Sequence, residues 1–194
     1  MENKPLSIIL KDGRKLTYCV QGNPKGRNIL LLHGTPGHLL FWNKLPGFSE
    51  ACGEFRFISV DRRGYGTSDY KKDNTFLNYT DDIEELMDHL KIGKAAVLGV
   101  SGGGPYALAC VYKIPERINK ALIVSSASPV DVKKIENAIS STNRNVYKIA
   151  RRVPWLMNLN MRFLISWQKK NPVKFISKMS YKFSGPDKET IDSS

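Results

Sequence analysis

A serine flanked by glycines is the residue of this sequence best suited to covalent chemistry. Residues 97–106 read VLGVSGGGPY, so Ser101 lies between Gly99 and Gly103 in the pattern G-x-S-x-G. A sharp turn at the serine needs small neighbours, because side chains at 99 and 103 would collide as the backbone folds over. A helix that begins after Ser101 would point unpaired N–H groups at the hydroxyl. The pattern therefore predicts a nucleophilic serine beside groups that stabilise developing negative charge.

A loop that cradles phosphate is the competing use of such glycines. It is disfavoured, because the sequence contains neither G-x-x-x-x-G-K-[ST] nor a G-x-G-x-x-G with a partner acid after the first strand. Two further glycine turns, HGTPG at 33–37 and DRRGYGTSD at 61–69, also follow apolar runs. Such runs are typical of buried parallel strands, and ligands bind beyond the carboxyl ends of those strands. We expect all three stretches to lie at one site.

The elements that must position these turns are strands and helices in alternation. The segments LSIIL and KLTYCV predict an antiparallel hairpin, and the runs NILLLHG, FRFISV, KAAVLGV and INKALIVSS predict further strands. Helices are predicted over 75–92, with Thr80 or Asp81 as the cap, and over about 103–114. This alternation indicates an α/β fold with a mostly parallel sheet and helices on both faces.

The character of the chain changes near residue 131. Residues 131–194 carry 13 Lys and Arg against 5 Asp and Glu, whereas residues 1–130 carry 17 against 13. The second segment is basic and helix-like, with Pro154 and Pro172 beginning or ending its helices. Packing against the core is the plain interpretation, and a lid over the serine is the favoured one. The formal net charge of +12 indicates a solvated basic surface. Docking on anionic lipid or nucleic acid is the weaker alternative, and no specific nucleic-acid partner is expected.

Several classes of protein are disfavoured by the composition. The N-terminus does not read as a signal peptide, and no apolar run is long enough to form a transmembrane segment. The cysteines and histidines are dispersed, so we expect a reduced, cytoplasmic protein with no metal site and no cofactor. These residues are Cys19, Cys52, Cys110, His33, His38 and His89.

The turns HGTPG, DRRGYGTSD and GVSGGGP together resemble the α/β-hydrolase family, over residues 6–130. The resemblance implies that Ser101 is the nucleophile and that the backbone N–H groups of Thr35 and Gly102 form the oxyanion hole. Pro36 has no N–H and cannot be the second donor. The resemblance also implies structural roles in the elbow and the oxyanion loop. The residues in these roles are Gly99, Gly103, His33 and Gly34, and residues 61–66 are structural or form the rim.

The family's order of nucleophile, acid and histidine is not completed in this sequence. No histidine follows Ser101, and His38 is not favoured as a replacement base. Asp131 is a candidate acid, although capping the next helix is its favoured role. The resemblance implies that 1–130 is the N-terminal part of a hydrolase core and 131–194 a basic cap segment. The rest of the core is expected to be missing, so the chain is expected to be truncated and largely inactive unless completed.

Two functions of different classes follow from these observations. The first is a serine hydrolase that cleaves a small ester or amide through an acyl-enzyme at Ser101. The second is a catalytically inactive or split hydrolase that serves as a ligand- or protein-binding module. An apolar edge left by the strand within 118–126 motivates the second, because such an edge favours a completing chain or self-association.

Overall fold

A six-stranded sheet carries the first part of the chain. The computed structural model describes residues 4–44, 47–127 and 141–171. The chain divides into two compact units, Met1–Ser128 and Pro129–Ser194. In chain order, the strands are β1 (Leu6–Ile9), β2 (Lys15–Gly22), β3 (Arg27–Leu32), β4 (Phe55–Val60), β5 (Ala95–Val100) and β6 (Ile118–Val124).

The order of the strands across the sheet is β1-β2-β4-β3-β5-β6. β1 and β2 form the predicted antiparallel hairpin, and β2 is also antiparallel to β4. β4, β3, β5 and β6 run parallel to one another. The predicted strands are therefore confirmed, and the last of them ends at Val124 rather than at residue 126.

Helices cover both faces of the sheet, as the sequence predicts. On one face lie α2 (Phe76–His89) and α3 (Gly104–Lys113), whose apolar side chains join the larger core. On the other face lie a 3-10 helix (Leu39–Lys44) and the single turn α1 (Phe48–Ala51), where Trp42 packs with residues of β3 and β4. The architecture is the expected α/β fold, with a mostly parallel sheet between two layers of helices.

The predicted cap of α2 is wrong. Thr75 is the N-cap, its hydroxyl accepts the backbone N–H of Asn78, and the Asn78 side chain accepts the N–H of Thr75 in return. This reciprocal pair satisfies two of the unpaired N–H groups at the helix start. Thr80 instead lies buried inside the helix and donates to the carbonyl of Leu77.

A buried charge network joins α2 to the turn after β4. Asp82 is 1% exposed and accepts two hydrogen bonds from Arg63 and two from Arg14. Burial raises the pKa of Asp82, but the bonds from the two arginines more than offset this, so its pKa is lowered overall. His89 is exposed and contacts the ring of Tyr18 edge-on.

The edge strand β6 leaves apolar side chains open to solvent. Its register with β5 places Leu122 beside Leu98 and Val124 beside Val100, on the face that also carries Leu31. Leu122 is 56% exposed and Val124 is 40% exposed. The described sheet therefore ends in an apolar strip on this face.

The second unit contains two described helices, α4 (Ser141–Arg152) and α5 (Pro154–Lys170). Pro154 lies in the first turn of α5, as predicted, where its missing N–H costs little. Large apolar side chains of α5 are exposed, among them Trp155 and Phe163. None of the helices in the described ranges is long and apolar enough to cross a bilayer. Asp131 and Pro172 lie outside the described residues.

Candidate active site

The three glycine turns meet at the carboxyl ends of the central strands. β3 pairs with β4 on one side and with β5 on the other, with Leu32 beside both Val60 and Gly99. The chain order reverses across β3, which creates a crevice beyond the ends of β3 and β5. The turns at 33–37 and 61–69 and the stretch at 101–103 therefore surround one crevice.

Ser101 occupies a sharp turn between β5 and α3. Its φ of 50° lies in the left-handed region, which a residue with a side chain rarely adopts. A methyl group on Gly99 would lie 2.7 Å from the carbonyl oxygen of Gly103 and 2.8 Å from Cβ of Ala107. A methyl group on Gly103 would overlap the carbonyl oxygen of Leu32. The glycines are therefore needed to bring the serine turn against β3 and α3.

The loop after β3 contacts this turn directly. A methyl group on Gly34 would lie 3.2 Å from Cβ and 3.7 Å from Oγ of Ser101. A methyl group on Gly102 would lie 2.9 Å from Cβ and 3.1 Å from the backbone nitrogen of Thr35. Thr35 and Gly102, the two expected oxyanion donors, are thus neighbours at the serine.

The start of α3 leaves backbone donors at the crevice. Residues Ser101–Gly103 form a 3-10 turn that runs into α3, with Pro105 in the first helical turn. The first N–H groups of a helix have no partner within it. The carbonyl of Ser101 is held by the N–H groups of Gly104 and Ala127. This arrangement fixes the serine backbone and places it at the start of α3, where the first N–H groups have no partner within the helix.

His33 is buried and fully engaged in the loop. Its Nε2 accepts the backbone N–H of Arg62 at 3.3 Å, so the proton resides on Nδ1, which donates to the carbonyl of Gly34 at 2.8 Å. Burial lowers the pKa of His33 to about 4, against its ordinary value of 6.5. At neutral pH the ring is uncharged and structural, and neither of its nitrogens serves Ser101.

Arg62 connects the turn after β4 to the loop after β3. One nitrogen of its guanidinium, Nη2, donates to the carbonyl of Gly34 at 2.9 Å and to Oγ1 of Thr35 at 2.7 Å. The guanidinium lies over the rings of Tyr65 and Tyr106, with centroid distances of 4.5 and 4.7 Å. Arg62 is 3% exposed, so these contacts are shielded from solvent.

Asp61 also joins these two loops and faces away from solvent. Its carboxylate accepts the backbone N–H of Leu39 at 2.7 Å and that of Thr67 at 3.3 Å. Burial raises the pKa of Asp61, and the two backbone bonds partly oppose that rise. These contacts indicate that Asp61 has a structural role, joining the loop after β3 to the turn after β4.

The remaining histidines of the sequence make local contacts. His38 is exposed, and its Nδ1 accepts the N–H of Leu40. His89 lies near the end of α2, against Tyr18 of β2. Within the described ranges, no imidazole hydrogen-bonds Oγ of Ser101. Asp131, the candidate acid, is outside those ranges.

Sequence reasoning placed the turn 61–66 at the site as structural or rim-forming but did not single out Arg62 within it. The signal was present, since Arg62 lies two residues after the end of β4, in a turn that was expected at the site. What the sequence could not indicate was which of the adjacent arginines turns toward the crevice. Arg63 turns the other way and binds Asp82.

One cleft of the described structure lies away from the serine. It has a volume of about 440 Å³ and lies at the amino ends of the parallel strands, at the opposite end of the sheet from Ser101. Its lining includes Arg27, Asn28, Phe55, Lys94, Asn119 and Lys120. Across the described part of the chain, no group of three or more His, Cys, Asp or Glu residues is arranged to hold a metal ion.

Comparison with known proteins supports the same fold. The chain is 36% identical over 112 residues to proline iminopeptidase of Neisseria gonorrhoeae, covering 53% of this chain and 33% of that protein. It is 32% identical over 133 residues to non-heme chloroperoxidase of Streptomyces lividans, covering 68% and 48%. Among solved structures, a thermophilic esterase from Thermogutta terrifontis matches with a TM-score of 0.59 and 28% identity, covering 77% and 54%. The chain spans between a third and just under half of the length of these curated relatives.

The family assignment rests on a match across most of the chain. The model of the alpha/beta hydrolase fold matches residues 27–187, which include all three glycine turns and both described helices of the second unit. The sheet order and the turn at Ser101 are consistent with this match. The chain therefore belongs to the alpha/beta hydrolase fold family.

Proposed function

We propose that the chain carries the nucleophile and the oxyanion donors of a serine hydrolase that acts on small esters or amides. The single observation that carries this proposal is the left-handed backbone of Ser101, with Thr35 and Gly102 beside it. Oγ of Ser101 attacks the substrate carbonyl carbon, and the carbonyl oxygen becomes an oxyanion that accepts the N–H groups of Thr35 and Gly102. The Oγ proton passes to a general base. The bond between the carbonyl carbon and the leaving group then breaks, the leaving group departs with that proton, and water hydrolyses the acyl-serine.

Names of relatives support an acyl-transfer reaction without selecting a substrate. One relative is an iminopeptidase and one structural neighbour is an esterase. A serine at the elbow suits both reactions, because both pass through an acyl-enzyme. Each oxyanion donor typically contributes about 10²–10³ in rate.

The general base of the proposed reaction is not one of the three histidines of this sequence. His33 uses both ring nitrogens in the loop, and His38 and His89 make the local contacts described above. The proposal therefore requires a base that the described residues do not provide. A serine without a base is a weak nucleophile at neutral pH, so turnover by these 194 residues alone is expected to be low.

Labelling and chemical rescue test the proposal. A fluorophosphonate probe should add to Ser101, as located by peptide mass spectrometry, and Ser101→Ala should abolish the adduct. Imidazole in solution should accelerate p-nitrophenyl acetate hydrolysis by the wild-type chain beyond the background measured with Ser101→Ala. Equal rates for the two proteins at every imidazole concentration, together with an absent adduct, would rule the serine hydrolase out.

A second candidate function is a non-catalytic binding module. The exposed apolar strip of β6, with Leu122 and Val124, favours this alternative. Such a module would bind a polypeptide at β6 and leave Ser101 unreactive toward the probe. Co-elution of a bound chain with an unlabelled Ser101 would support the module over the enzyme.

A further inference from the structure

The oxyanion loop is held through one peptide unit. The carbonyl of Gly34 and the N–H of Thr35 belong to the same peptide group, which is trans and planar. In such a group the carbonyl and the N–H point in opposite directions. Anything that fixes the carbonyl of Gly34 therefore also fixes the direction of the Thr35 N–H.

Two donors hold that carbonyl from the side away from the N–H. His33 Nδ1 donates at 2.8 Å and Arg62 Nη2 at 2.9 Å. A carbonyl oxygen has two lone pairs, so its accepting capacity is filled. The bond from Arg62 is charge-assisted and stronger than a bond between neutral groups.

Arg62 also holds the side chain of Thr35. The second hydrogen of Nη2 is directed at Thr35 Oγ1, 2.7 Å away. Thr35 in turn occupies the space over Gly102, the other oxyanion donor. One guanidinium nitrogen thus restrains the backbone and the side chain of the same residue at the serine.

The guanidinium of Arg62 is buried and has no described carboxylate partner. It lies over the rings of Tyr65 and Tyr106, and the backbone N–H of Arg62 donates to His33 Nε2. Arg63, the next residue, pairs instead with Asp82, whereas the described ion pairs include none with Arg62. Arg62 Nε is buried without a hydrogen-bond partner. A buried cation without a carboxylate partner is costly to the folded state. Both hydrogen bonds that Arg62 Nη2 donates go to the oxyanion loop.

We propose that Arg62 is a positioning residue for the oxyanion hole, orienting the N–H of Thr35 through the carbonyl of Gly34. This inference rests on the proposed function, since it assigns Thr35 as a donor to the oxyanion. Loss of the guanidinium leaves the Gly34 carbonyl with the bond from His33 Nδ1 but without its charge-assisted bond, so the Gly34–Thr35 peptide is held less firmly. The N–H of Thr35 then no longer meets the oxyanion in a fixed direction.

The test compares Arg62→Met with a matched control, Arg14→Met. Both changes remove a mostly buried guanidinium and keep an unbranched stem, but Arg14 binds Asp12 and Asp82 and no residue of the loop. The first readout is the ¹⁵N order parameter of the Gly34 and Thr35 amides. Arg62→Met should lower it from about 0.85 to below about 0.6, whereas Arg14→Met should leave it unchanged.

The second readout is the second-order rate of Ser101 labelling by the fluorophosphonate probe. Arg62→Met should reduce that rate about 10- to 100-fold, somewhat less than the loss of a whole donor, and Arg14→Met should not. Order parameters that stay at the wild-type value in Arg62→Met would overturn the proposal, as would an unchanged labelling rate. A wild-type chain that never labels, while Arg62→Met still loosens the loop, would refute the proposed function but leave the positioning role standing.

Discussion

At the scale of single residues, the turn at Ser101 depends on the lack of side chains at the glycines that flank it. Ser101 has a positive φ that costs free energy, and the surrounding contacts must hold it there. Gly103 allows the turn to approach the carbonyl oxygens of Leu32 and His33. This close approach brings the end of β5 and the loop after β3 together.

Gly103→Ala should therefore destabilise the fold by about 1–3 kcal/mol, because the added methyl group meets backbone atoms that have little room to move. Urea denaturation measures the change. Gly93→Ala is the matched control, since a methyl group there meets nothing within 4 Å. Its stability should equal or slightly exceed that of the wild type. Equal stability of Gly103→Ala and the wild type would contradict the close approach.

His33 should make stability depend on pH below neutrality. Its pKa of about 4 in the folded chain lies below the ordinary value of 6.5, so the unfolded chain binds a proton that the folded chain excludes. The contribution of neutral His33 to the free energy of unfolding is complete above pH 6.5. It is lost as the pH falls toward 4, by up to roughly 3 kcal/mol. The raised pKa of Asp61 has the opposite sign, because that group releases its proton more readily on unfolding.

Comparison of wild type with His33→Asn isolates this effect. The asparagine amide can still donate to the carbonyl of Gly34 but does not titrate. Urea denaturation across this pH range should show a shallower slope for His33→Asn, since His38, His89 and Asp61 remain in both proteins. Parallel slopes would show that His33 is not buried in its neutral form.

At the scale of elements, charge rather than apolar packing ties α2 to the turn after β4. Asp82 on α2 accepts from Arg63, whose side chain is 1% exposed, and from Arg14 in the turn of the β1–β2 hairpin. Arg63, a member of this network, is the residue that follows Arg62 in the chain. The turn at 61–69 is thus anchored on one side by Asp82 and on the other by the oxyanion loop.

Asp82→Asn should cost about 3–5 kcal/mol of stability, because it leaves the buried Arg63 without its counter-charge. Asp12→Asn is the control, since the Asp12 side chain is 40% exposed and its pairs with Arg14 and Lys71 lie at the surface. That change should cost less than about 1 kcal/mol. Chemical denaturation of both variants gives the comparison, and equal losses would refute the role of burial.

At the scale of the whole molecule, β6 is one of the two edge strands of the described sheet, and β1 is the other. An edge strand offers unpaired backbone groups, and here it also presents Leu122 and Val124. Such an apolar edge favours association with another polypeptide.

Leu122→Glu should therefore reduce self-association of the purified chain, measured by sedimentation velocity at increasing concentration. A charge directly on the edge strand disfavours edge-to-edge pairing. Leu108→Glu on α3 is the matched control, because Leu108 is similarly exposed at 53% but lies on a helix. A wild-type chain that stays monomeric at all concentrations would show that β6 does not mediate self-association.

Much of the fold follows from local pattern. The apolar runs identify the strands because parallel strands are buried on both faces, and glycine turns mark where those strands end. The N-cap of α2 was misplaced to Thr80 or Asp81 because several polar residues near a helix start have similar capping preferences. Only the folded backbone shows that Thr75 and Asn78 exchange hydrogen bonds.

By itself, the sequence determined that Ser101 sits in a glycine-bounded turn between a strand and a helix. Those properties depend on neighbours in the chain. Tertiary structure alone decided that Thr35 lies over Gly102, that Arg62 holds the Gly34 carbonyl, and that Asp82 is buried. These contacts join loops from different strands. Which side chain reaches which loop depends on the strand order β4-β3-β5 and on the direction each arginine takes, and neither is encoded in a local pattern.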